Sequence, residues 1–268
     1  MNKGISILGA GWLGLPLAEK LIAKGYSIKG STTSDAKLER LQSKGLAAYT
    51  IVLTETAVIG NIAQFLKDSK ILIIAIPPGL RRNPSSDFVG KIKRLLPYIE
   101  ASSINSVLFI SSTTVYEDTK EIPLITNLTL PNATSIAGKQ LTVIEKLLQQ
   151  RTDFSTTILR FGGLIGKDRH PATMLSGREN IQNPEAPVNL IDREDCIQII
   201  LKIINNNAWN KVYNASASNH PKKSEYYTAQ CLKRGLDVPK YDYMSVSKGK
   251  SIDSKYIQKD LGYEIKDI

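Results

Sequence analysis

Short apolar runs alternate with longer amphipathic stretches over the first 160 residues of this 268-residue chain. Apolar runs bounded by turn-forming residues predict buried strands. They lie at residues 5–8, 27–29, 47–53, 71–76, 106–110 and 156–160. The stretches between them predict helices that reach residue 24 and that span about 35–44, 87–101 and 134–150. This alternation of strands and helices predicts an α/β fold with a doubly wound parallel sheet.

A glycine-rich loop, GAGWLG at residues 9–14, joins the first predicted strand to the first predicted helix. The first glycine of such a loop allows a tight turn, the second lets the backbone approach a pyrophosphate, and the third lets the helix pack close to the sheet. The helix N-terminus supplies N–H groups to the anion. In this strand–loop–helix context the spacing predicts a Rossmann-type dinucleotide site. Its residues are Gly9, Gly11, Trp12, Leu13 and Gly14.

The segment after the second predicted strand bears on the choice of cofactor. NAD-specific folds usually place an acidic residue there, which binds the ribose hydroxyls. Here the residues at that place carry hydroxyls, and they are Ser31, Thr32 and Thr33. Lys37 or Arg40 follows one turn later, which suits a 2′-phosphate, whereas Asp35 is better interpreted as a first-turn helical residue behind a capping Ser34. We therefore predict NADP, with NAD as the open alternative.

Further cofactor contacts are expected at the carboxyl ends of other strands, because parallel sheets bind ligands at that edge. The expected residues are Ala75, Ile76, Pro77, Ser111, Phe161 and Gly162. Arg81 and Arg82 could bind the cofactor phosphates or an anionic substrate, and a solvated loop is the open alternative.

The regular pattern loosens beyond residue 165, where glycine and proline interrupt it. A predicted helix near 194–205 and a predicted strand near 211–214 then restore it. We predict a dinucleotide-binding domain over 1–165 and a smaller substrate-binding region over 166–268. The two are interleaved, because about 190–215 is expected to return to the Rossmann sheet.

The composition narrows the classes of function. The net charge is +10, from 35 Lys and Arg against 25 Asp and Glu, and the first 110 residues hold 14 basic and 7 acidic side chains. The basic residues are mostly isolated lysines without interleaved aromatics, which does not favour nucleic acid as a partner. A ligand with several phosphates explains part of the surplus. The longest apolar run is far shorter than the roughly 20 residues of a membrane span.

The two cysteines, Cys196 and Cys231, are too far apart in the sequence for a Cys-x-x-Cys pair. Neither histidine has a partner at metal-ligand spacing, so we predict no metal site. The absence of a disulfide framework predicts a reducing compartment, the cytoplasm.

Three segments carry a resemblance to a known family. They are Ser111–Tyr116 (SSTTVY), Leu159–Gly163 (LRFGG) and Val188–Asp192 (VNLID). Together with the glycine loop they resemble the extended short-chain dehydrogenase/reductases, the family of NAD-dependent sugar-nucleotide epimerases and dehydratases. Details such as Arg169-His170-Pro171 resemble a small bacterial branch of atypical members. The resemblance covers nearly the whole chain and implies an NAD(P)-dependent enzyme acting on a small-molecule substrate.

The resemblance breaks at the catalytic pair. In the family, a Tyr-x-x-x-Lys pair on the helix after the fifth strand carries the chemistry, and a serine at the position of Ser112 contacts the substrate oxygen. Aligning the surrounding residues places Ala137 and Leu141 where the tyrosine and the lysine should stand. Tyr116 and Lys120 repeat the spacing, but in a segment that reads as a loop. Tyr116 is therefore either a substitute phenol near the cleft or a packed tyrosine.

His170 is the remaining conventional base near the expected site, in a loop after the sixth predicted strand that also contains Asp168 and Arg169. We expect Arg169 and His170 to contact the substrate, and His170 is also a candidate for proton transfer, although a lone histidine is more often structural. Two hypotheses remain. In the first, Ser112, Tyr116 and His170 replace the lost pair in an NADP-dependent oxidoreductase or epimerase-like enzyme, a monomer or homodimer. In the second, the chain binds the dinucleotide without catalysis, as a sensor or regulatory protein.

Overall fold

The computed structural model describes residues 4–80 and 83–268. The candidate anion-binding residues Arg81 and Arg82 lie outside this part of the chain. The chain divides into two compact units. Unit 1 comprises Met1–Ser112, Ile136–Leu159 and Ile200–Val212, and unit 2 comprises Thr113–Ser135, Arg160–Ile199 and Tyr213–Ile268. Each unit is built from three separate segments. The division into a dinucleotide-binding domain over 1–165 and a substrate-binding region over 166–268, with about 190–215 returning to the Rossmann sheet, stays a prediction.

The secondary structure follows the alternation of strands and helices. The strands are β1 Gly4–Leu8, β2 Ser27–Thr32, β3 Ala47–Thr50, β4 Val52–Leu53, β5 Val58–Ile59, β6 Ile71–Ile74, β7 Ser106–Ser112, β8 Leu124–Ile125, β9 Ser155–Phe161, β10 Gly163–Ile165, β11 Leu190–Asp192, β12 Val212–Ala215 and β13 Ser251–Ile252. The helices are α1 Gly14–Ala23, α2 Leu38–Gln42, α3 Ile62–Leu66, α4 Phe88–Glu100, α5 Ile136–Gln149, α6 Ala172–Leu175, α7 Arg193–Asn205, α8 Lys223–Lys233 and α9 Lys255–Leu261. No helix of the described part of the chain is both long and apolar enough to cross a membrane.

The main sheet has seven parallel strands in the order β12-β9-β7-β6-β1-β2-β3. β1 pairs with β2 on one side and with β6 on the other, so that Ile5 lies opposite both Ile28 and Ile71. All five residues of β1 are buried, as expected of a parallel strand in the middle of a sheet. The predicted α/β fold with a doubly wound parallel sheet is confirmed.

The region between β2 and β6 contains more and shorter strands and helices than the sequence pattern predicts. The single strand expected over 47–53 is two strands, because β3 joins the main sheet and β4 forms an antiparallel pair with β5. The helix expected over 35–44 begins as a 3₁₀ turn at Asp35–Lys37 and continues as the short α2. The pattern does not predict α3, because five residues are too few to establish a helical period.

Unit 2 contains two short parallel pairings of its own, β10 with β11 and β13 with β8. One of its core clusters joins residues from β10, from α6, from the start of β11 and the segment just before it, and from α8. Its buried members are Ile165, Ala172, Val188, Leu190, Tyr226, Tyr227 and Cys231.

Candidate functional site

The glycine loop follows β1 and leads into α1, and packing within unit 1 requires two of its glycines. Gly9 has a φ of +102°, and a Cβ there would lie 2.9 Å from the carbonyl oxygen of Ala75. A Cβ on Gly14 would lie 2.2 Å from the carbonyl oxygen of Gly9. These two glycines therefore allow the turn and the close approach of α1 to the loop.

Gly11 differs from these two glycines because the protein's own packing does not require it. A Cβ on Gly11 would meet no atom within 4 Å, and its backbone lies outside the left-handed region. The space beside the loop at Gly11 is open, which is what the approach of a pyrophosphate to this backbone needs. Its neighbour Trp12 is half-buried and Leu13 is packed in the core, so a contact from Leu13 to a cofactor would come from its backbone. The loop therefore fits a dinucleotide.

The three hydroxyl groups at and after the end of β2 differ in burial and in hydrogen bonding. Ser31 is buried, and its Oγ accepts a hydrogen bond from the N–H of Gly9 at 2.9 Å. Oγ1 of Thr32 accepts a hydrogen bond from the N–H of Ser34 at 3.3 Å. Thr33 is exposed. Ser31 thus braces the glycine loop, and Thr33 is the hydroxyl that solvent or a ligand can reach most easily.

The interpretation of Asp35 and Ser34 as the start of a helix is correct in position but wrong in one contact. Asp35 begins the 3₁₀ turn, yet the side chain of Ser34 makes no capping hydrogen bond. The carboxylate of Asp35 instead accepts a hydrogen bond from the hydroxyl of Thr50, the last residue of β3. This contact is not visible in the sequence, because it joins the ends of two neighbouring strands.

The residues after β6 form one wall of the glycine loop. The N–H of Ala75 donates a hydrogen bond to the carbonyl of Leu8 at 2.9 Å. The side chain of Ile76 would lie 2.8 Å from a Cβ on Gly9. Pro77 is exposed. In unit 1 the structure therefore brings Ala75 and Ile76 next to the loop, and their contact with a cofactor, like that of Pro77, stays a prediction.

The end of β7 contacts α5 through a buried polar pair. Glu145 is only 1% exposed, and its Oε1 accepts a hydrogen bond from Oγ of Ser111 at 2.6 Å. The hydroxyl of Ser111 is therefore engaged with the helix, and a contact to a cofactor would come from its backbone. Ser112 is half-buried. Its side chain projects from the face of the sheet opposite to that of Ser111, because successive residues alternate along a strand.

The helix α5 contains the two positions that the resemblance aligns with the family's Tyr-x-x-x-Lys pair. Ala137 is half-buried in its first turn, and Leu141 is 4% exposed and packed in the core. Leu141 and Glu145 are four residues apart, so they lie on one face of the helix. Ala137 and Leu141 have the same spacing and also share a face of the helix, but neither side chain supplies a phenol or an ammonium group.

Tyr116, in unit 2, is buried and enclosed in a hydrogen-bonded network. It is 2% exposed, and its hydroxyl donates to Oδ1 of Asn214 at 3.0 Å and accepts from the guanidinium of Arg160. The Arg160 guanidinium also lies 5.2 Å from the centre of the Tyr116 ring. Lys250 donates to the carbonyl oxygen of Tyr116 at 2.9 Å and to Asp118 at 2.7 Å. These contacts favour the interpretation of a packed tyrosine, and a role in proton transfer stays a prediction.

Three members of this network were not candidate site residues in the sequence interpretation. Arg160 had a visible signal, because a charged residue interrupts an otherwise apolar strand. Asn214 and Lys250 had none, because each lies about a hundred residues or more from Tyr116 in the chain.

His170 is a buried, neutral histidine in the core of unit 2. It is 7% exposed, its Nδ1 accepts a hydrogen bond from the N–H of Ala172 at 3.2 Å, and its Nε2 lies 3.1 Å from the hydroxyl of Tyr226. The bond at Nδ1 places the proton of the neutral ring on Nε2, which then donates to Tyr226. Burial, and secondly the positive charge of Arg234, lower the pKa of His170 to about 4. The surroundings favour a structural histidine, and its expected substrate contact stays a prediction.

Its neighbour Arg169 is exposed and exchanges two backbone hydrogen bonds with Gly166. Asp168, also exposed, forms an ion pair with Arg193 at 3.3 Å. Arg169 is thus accessible to an anionic ligand, whereas His170 is not. No group of three or more His, Cys, Asp or Glu that could hold a metal ion occurs in residues 4–80 and 83–268.

Phe161 and Gly162, the expected cofactor contacts after β9, are packed within unit 2. Phe161 is 2% exposed, and the N–H of Gly162 donates to the carbonyl of Ala215 at 2.9 Å. A Cβ on Gly162 would lie 2.6 Å from the carbonyl oxygen of Asn189. The glycine at this position is therefore explained by backbone packing, and a contact to a cofactor stays a prediction for both residues.

The arrangement has relatives in sequence and in structure. A family model described as NAD(P)H-binding matches residues 9–207. Protein YeeZ of Escherichia coli strain K12 is 31% identical over 265 residues, which cover 98% of this chain and 95% of that protein. The structure of MoeE5 in complex with UDP-glucose and NAD is 17% identical with a TM-score of 0.78, over 98% of this chain and 93% of that one. UDP-glucuronic acid 4-epimerase from Bacillus cereus in complex with NAD is 16% identical with a TM-score of 0.76, over 98% and 91%. At such identities the two solved structures support the fold alone.

Proposed function

The chain belongs to the NAD(P)H-binding family, and from this premise we propose that it is an NADP(H)-dependent oxidoreductase or epimerase-like enzyme acting on a small polar substrate. The expectations that the resemblance to the short-chain dehydrogenase/reductases implied for NAD(P)H binding and for the fold are confirmed. Binding of a nicotinamide dinucleotide follows from the family, whereas the preference for NADP, the reaction and the substrate are parts of the proposal.

The observation that carries the proposal is the open space at Gly11. Packing explains Gly9 and Gly14, but a Cβ on Gly11 would meet no atom within 4 Å. A bound pyrophosphate supplies the missing reason for a glycine at this position. The first turn of α1 follows directly and favours an anion through its dipole.

The preference for NADP is supported by the chemistry after β2. Thr33 and Lys37 are exposed there, and a hydroxyl with an ammonium group suits a phosphate. The nearest carboxylate, that of Asp35, is engaged by Thr50. The NAD bound to the structural neighbours makes NAD the alternative that an experiment must exclude.

For the reaction, we propose Ser112 as the residue that hydrogen-bonds the substrate oxygen and Arg169 as a contact for an anionic group. When bound, the nicotinamide supplies or accepts a hydride. Tyr116 and His170 remain candidates for proton transfer, but each would first have to leave the hydrogen bonds that enclose it. Variants of these residues therefore decide the mechanism.

The second candidate function is a dinucleotide-binding sensor or regulatory protein without catalysis. Ala137 and Leu141 favour it, because Leu141 packs in the core at the position where the family's chemistry needs an ammonium group. Such a protein would bind NADP(H) and would turn over no substrate.

We further propose that the protein works in the cytoplasm as a monomer or homodimer, without membrane or nucleic-acid partners. The two free, buried cysteines fit a reducing compartment. Sedimentation velocity would test the oligomeric state.

A thermal-shift titration with NADPH, NADP⁺, NADH and NAD⁺ tests the cofactor proposal. We expect greater stabilisation by NADP(H) than by NAD(H), and equal or reversed shifts would overturn the preference. Oxidation of NADPH with a panel of small carbonyl compounds tests for catalysis, with Ser112→Ala as the matched variant. Saturable binding without turnover of any compound would favour the sensor.

A further inference from the structure

Asp35 occupies a position at which an acidic residue affects the choice of cofactor. β2 ends at Thr32, and Asp35 begins the 3₁₀ turn that follows. A carboxylate free to reach the adenosine ribose at the end of this strand favours NAD, because it accepts hydrogen bonds from both ribose hydroxyls. The same carboxylate repels a 2′-phosphate. The direction in which Asp35 is held is therefore relevant to specificity.

Thr50 holds the carboxylate of Asp35 on the side of β2 that faces β3, away from the glycine loop. Thr50 is the last residue of β3 and lies opposite Thr32 in the parallel pairing. Its Oγ1 donates a hydrogen bond to Oδ1 of Asp35. Since β2 lies between β1 and β3, and the glycine loop follows β1, the hydrogen bond draws the carboxylate toward the strand that is farther from the loop.

On the side of β2 that faces the loop, the hydroxyl of Ser31 accepts a hydrogen bond from the N–H of Gly9, so the end of β2 and the loop are tied together. Thr33 and Lys37 are exposed, and their side chains make no hydrogen bond with any residue in the described ranges. The exposed hydroxyl and ammonium group that follow β2 in the chain are thus not hydrogen-bonded within these ranges, while the carboxylate of Asp35 is engaged by Thr50.

We propose that Thr50 is a specificity-determining residue, which favours NADP by holding Asp35 toward β3. The inference rests on the proposed NADP(H) binding and adds the residue that sets the preference. It predicts that loss of the Thr50 hydroxyl releases Asp35 and makes the site more favourable to NAD.

The test is the ratio of the dissociation constants for NADH and NADPH, measured by fluorescence titration. Thr50→Val keeps the shape of the side chain and removes the donor. We expect the preference for NADPH to fall about 5- to 10-fold, the size of effect associated with one typical solvent-exposed hydrogen bond. Adding Asp35→Asn to Thr50→Val should restore the wild-type ratio, because the released group then has no charge.

Thr134→Val is the matched control, because Thr134 also donates its hydroxyl to an exposed carboxylate, that of Glu117, at 2.6 Å in unit 2. The ratio of the dissociation constants for NADH and NADPH should be the same in Thr134→Val as in the wild type. Asp35→Asn alone should change the affinity for NADPH less than about twofold, because the carboxylate is already turned away. If Asp35→Asn raised the affinity for NADPH more than twofold, the carboxylate would already act on the cofactor in the wild type, and the inference would be overturned by this variant alone.

The outcomes separate this inference from the proposed function. If the wild type prefers NADPH and Thr50→Val keeps the wild-type ratio, Thr50 does not determine specificity, although NADP binding stands. If the wild type prefers NADH or binds neither dinucleotide, the proposed preference fails and the inference fails with it.

Discussion

Ser111 at the end of β7 donates a hydrogen bond to the buried carboxylate of Glu145 on α5 over 2.6 Å. A carboxylate with 1% of its residue exposed is tolerated only when it is hydrogen-bonded. Glu145 stands one helical turn after Leu141, the position of the family's catalytic lysine. The helix α5 therefore has a polar tie to the sheet through Glu145, whereas Ala137 and Leu141 bring no polar group to the positions that the resemblance aligns with the family's catalytic pair.

Removal of this tie should destabilise the fold. Ser111→Ala leaves the buried Oε1 without this donor, and we expect the free energy of unfolding to fall by roughly 1–3 kcal/mol. Urea denaturation measures the change. In the Ser111→Ala/Glu145→Leu double variant both polar groups are gone, so its loss should be smaller than the sum of the two single losses. Simple additivity would mean that the two residues do not interact.

The glycines of the loop should separate folding from binding. Gly11→Ala adds a Cβ into open space, so we expect a change in stability within about 1 kcal/mol and loss of stabilisation by NADPH. Gly14→Ala forces a Cβ against the backbone of Gly9 and should cost roughly 1–3 kcal/mol. Thermal unfolding with and without NADPH measures both effects. A Gly11→Ala protein with a wild-type response to NADPH would exclude the loop as the binding site.

Tyr116→Phe should act first on stability. It removes the donor to Oδ1 of Asn214 and an acceptor for Arg160, so we expect a loss of roughly 1–3 kcal/mol in urea denaturation. Tyr243→Phe is the control, because Tyr243 is 68% exposed. An unchanged stability combined with abolished turnover would contradict the structural interpretation and assign the phenol to catalysis.

His170 should make the fold sensitive to acid. The pKa of His170 is about 4 in the folded protein and near 6.5 in an unfolded chain. Between pH 4 and pH 6.5 the imidazole is therefore protonated in the unfolded state and neutral in the folded state. The free energy of unfolding should therefore fall as the pH drops from 6.5 to 4, with about 1–3 kcal/mol due to this residue.

Urea denaturation at pH 4, 5, 6 and 7 tests this dependence. His170→Gln should flatten the curve, whereas His220→Gln should keep the wild-type slope. Parallel curves for His170→Gln and the wild type would show that His170 is not the group that titrates.

The architecture could be predicted from local features. The four consecutive apolar residues of β6 predict a central strand because both faces of that strand are covered. The segment 47–53 shows the limit of this reasoning, since one apolar run enters two different sheets. A run of hydrophobic residues predicts burial, but it does not specify which strand lies alongside.

The sequence by itself determined the parallel α/β fold, the glycine loop and the apolar residues Ala137 and Leu141 at their helical spacing, because each depends on residue identity, period or short spacing. Only the tertiary structure decided which polar groups are available. Ser31 is hydrogen-bonded to Gly9, Ser111 to Glu145 and His170 to Tyr226. The partners in these three pairs are 22, 34 and 56 residues apart in the chain. No local pattern records such contacts, because they form only when folding brings distant segments together and removes their polar groups from water.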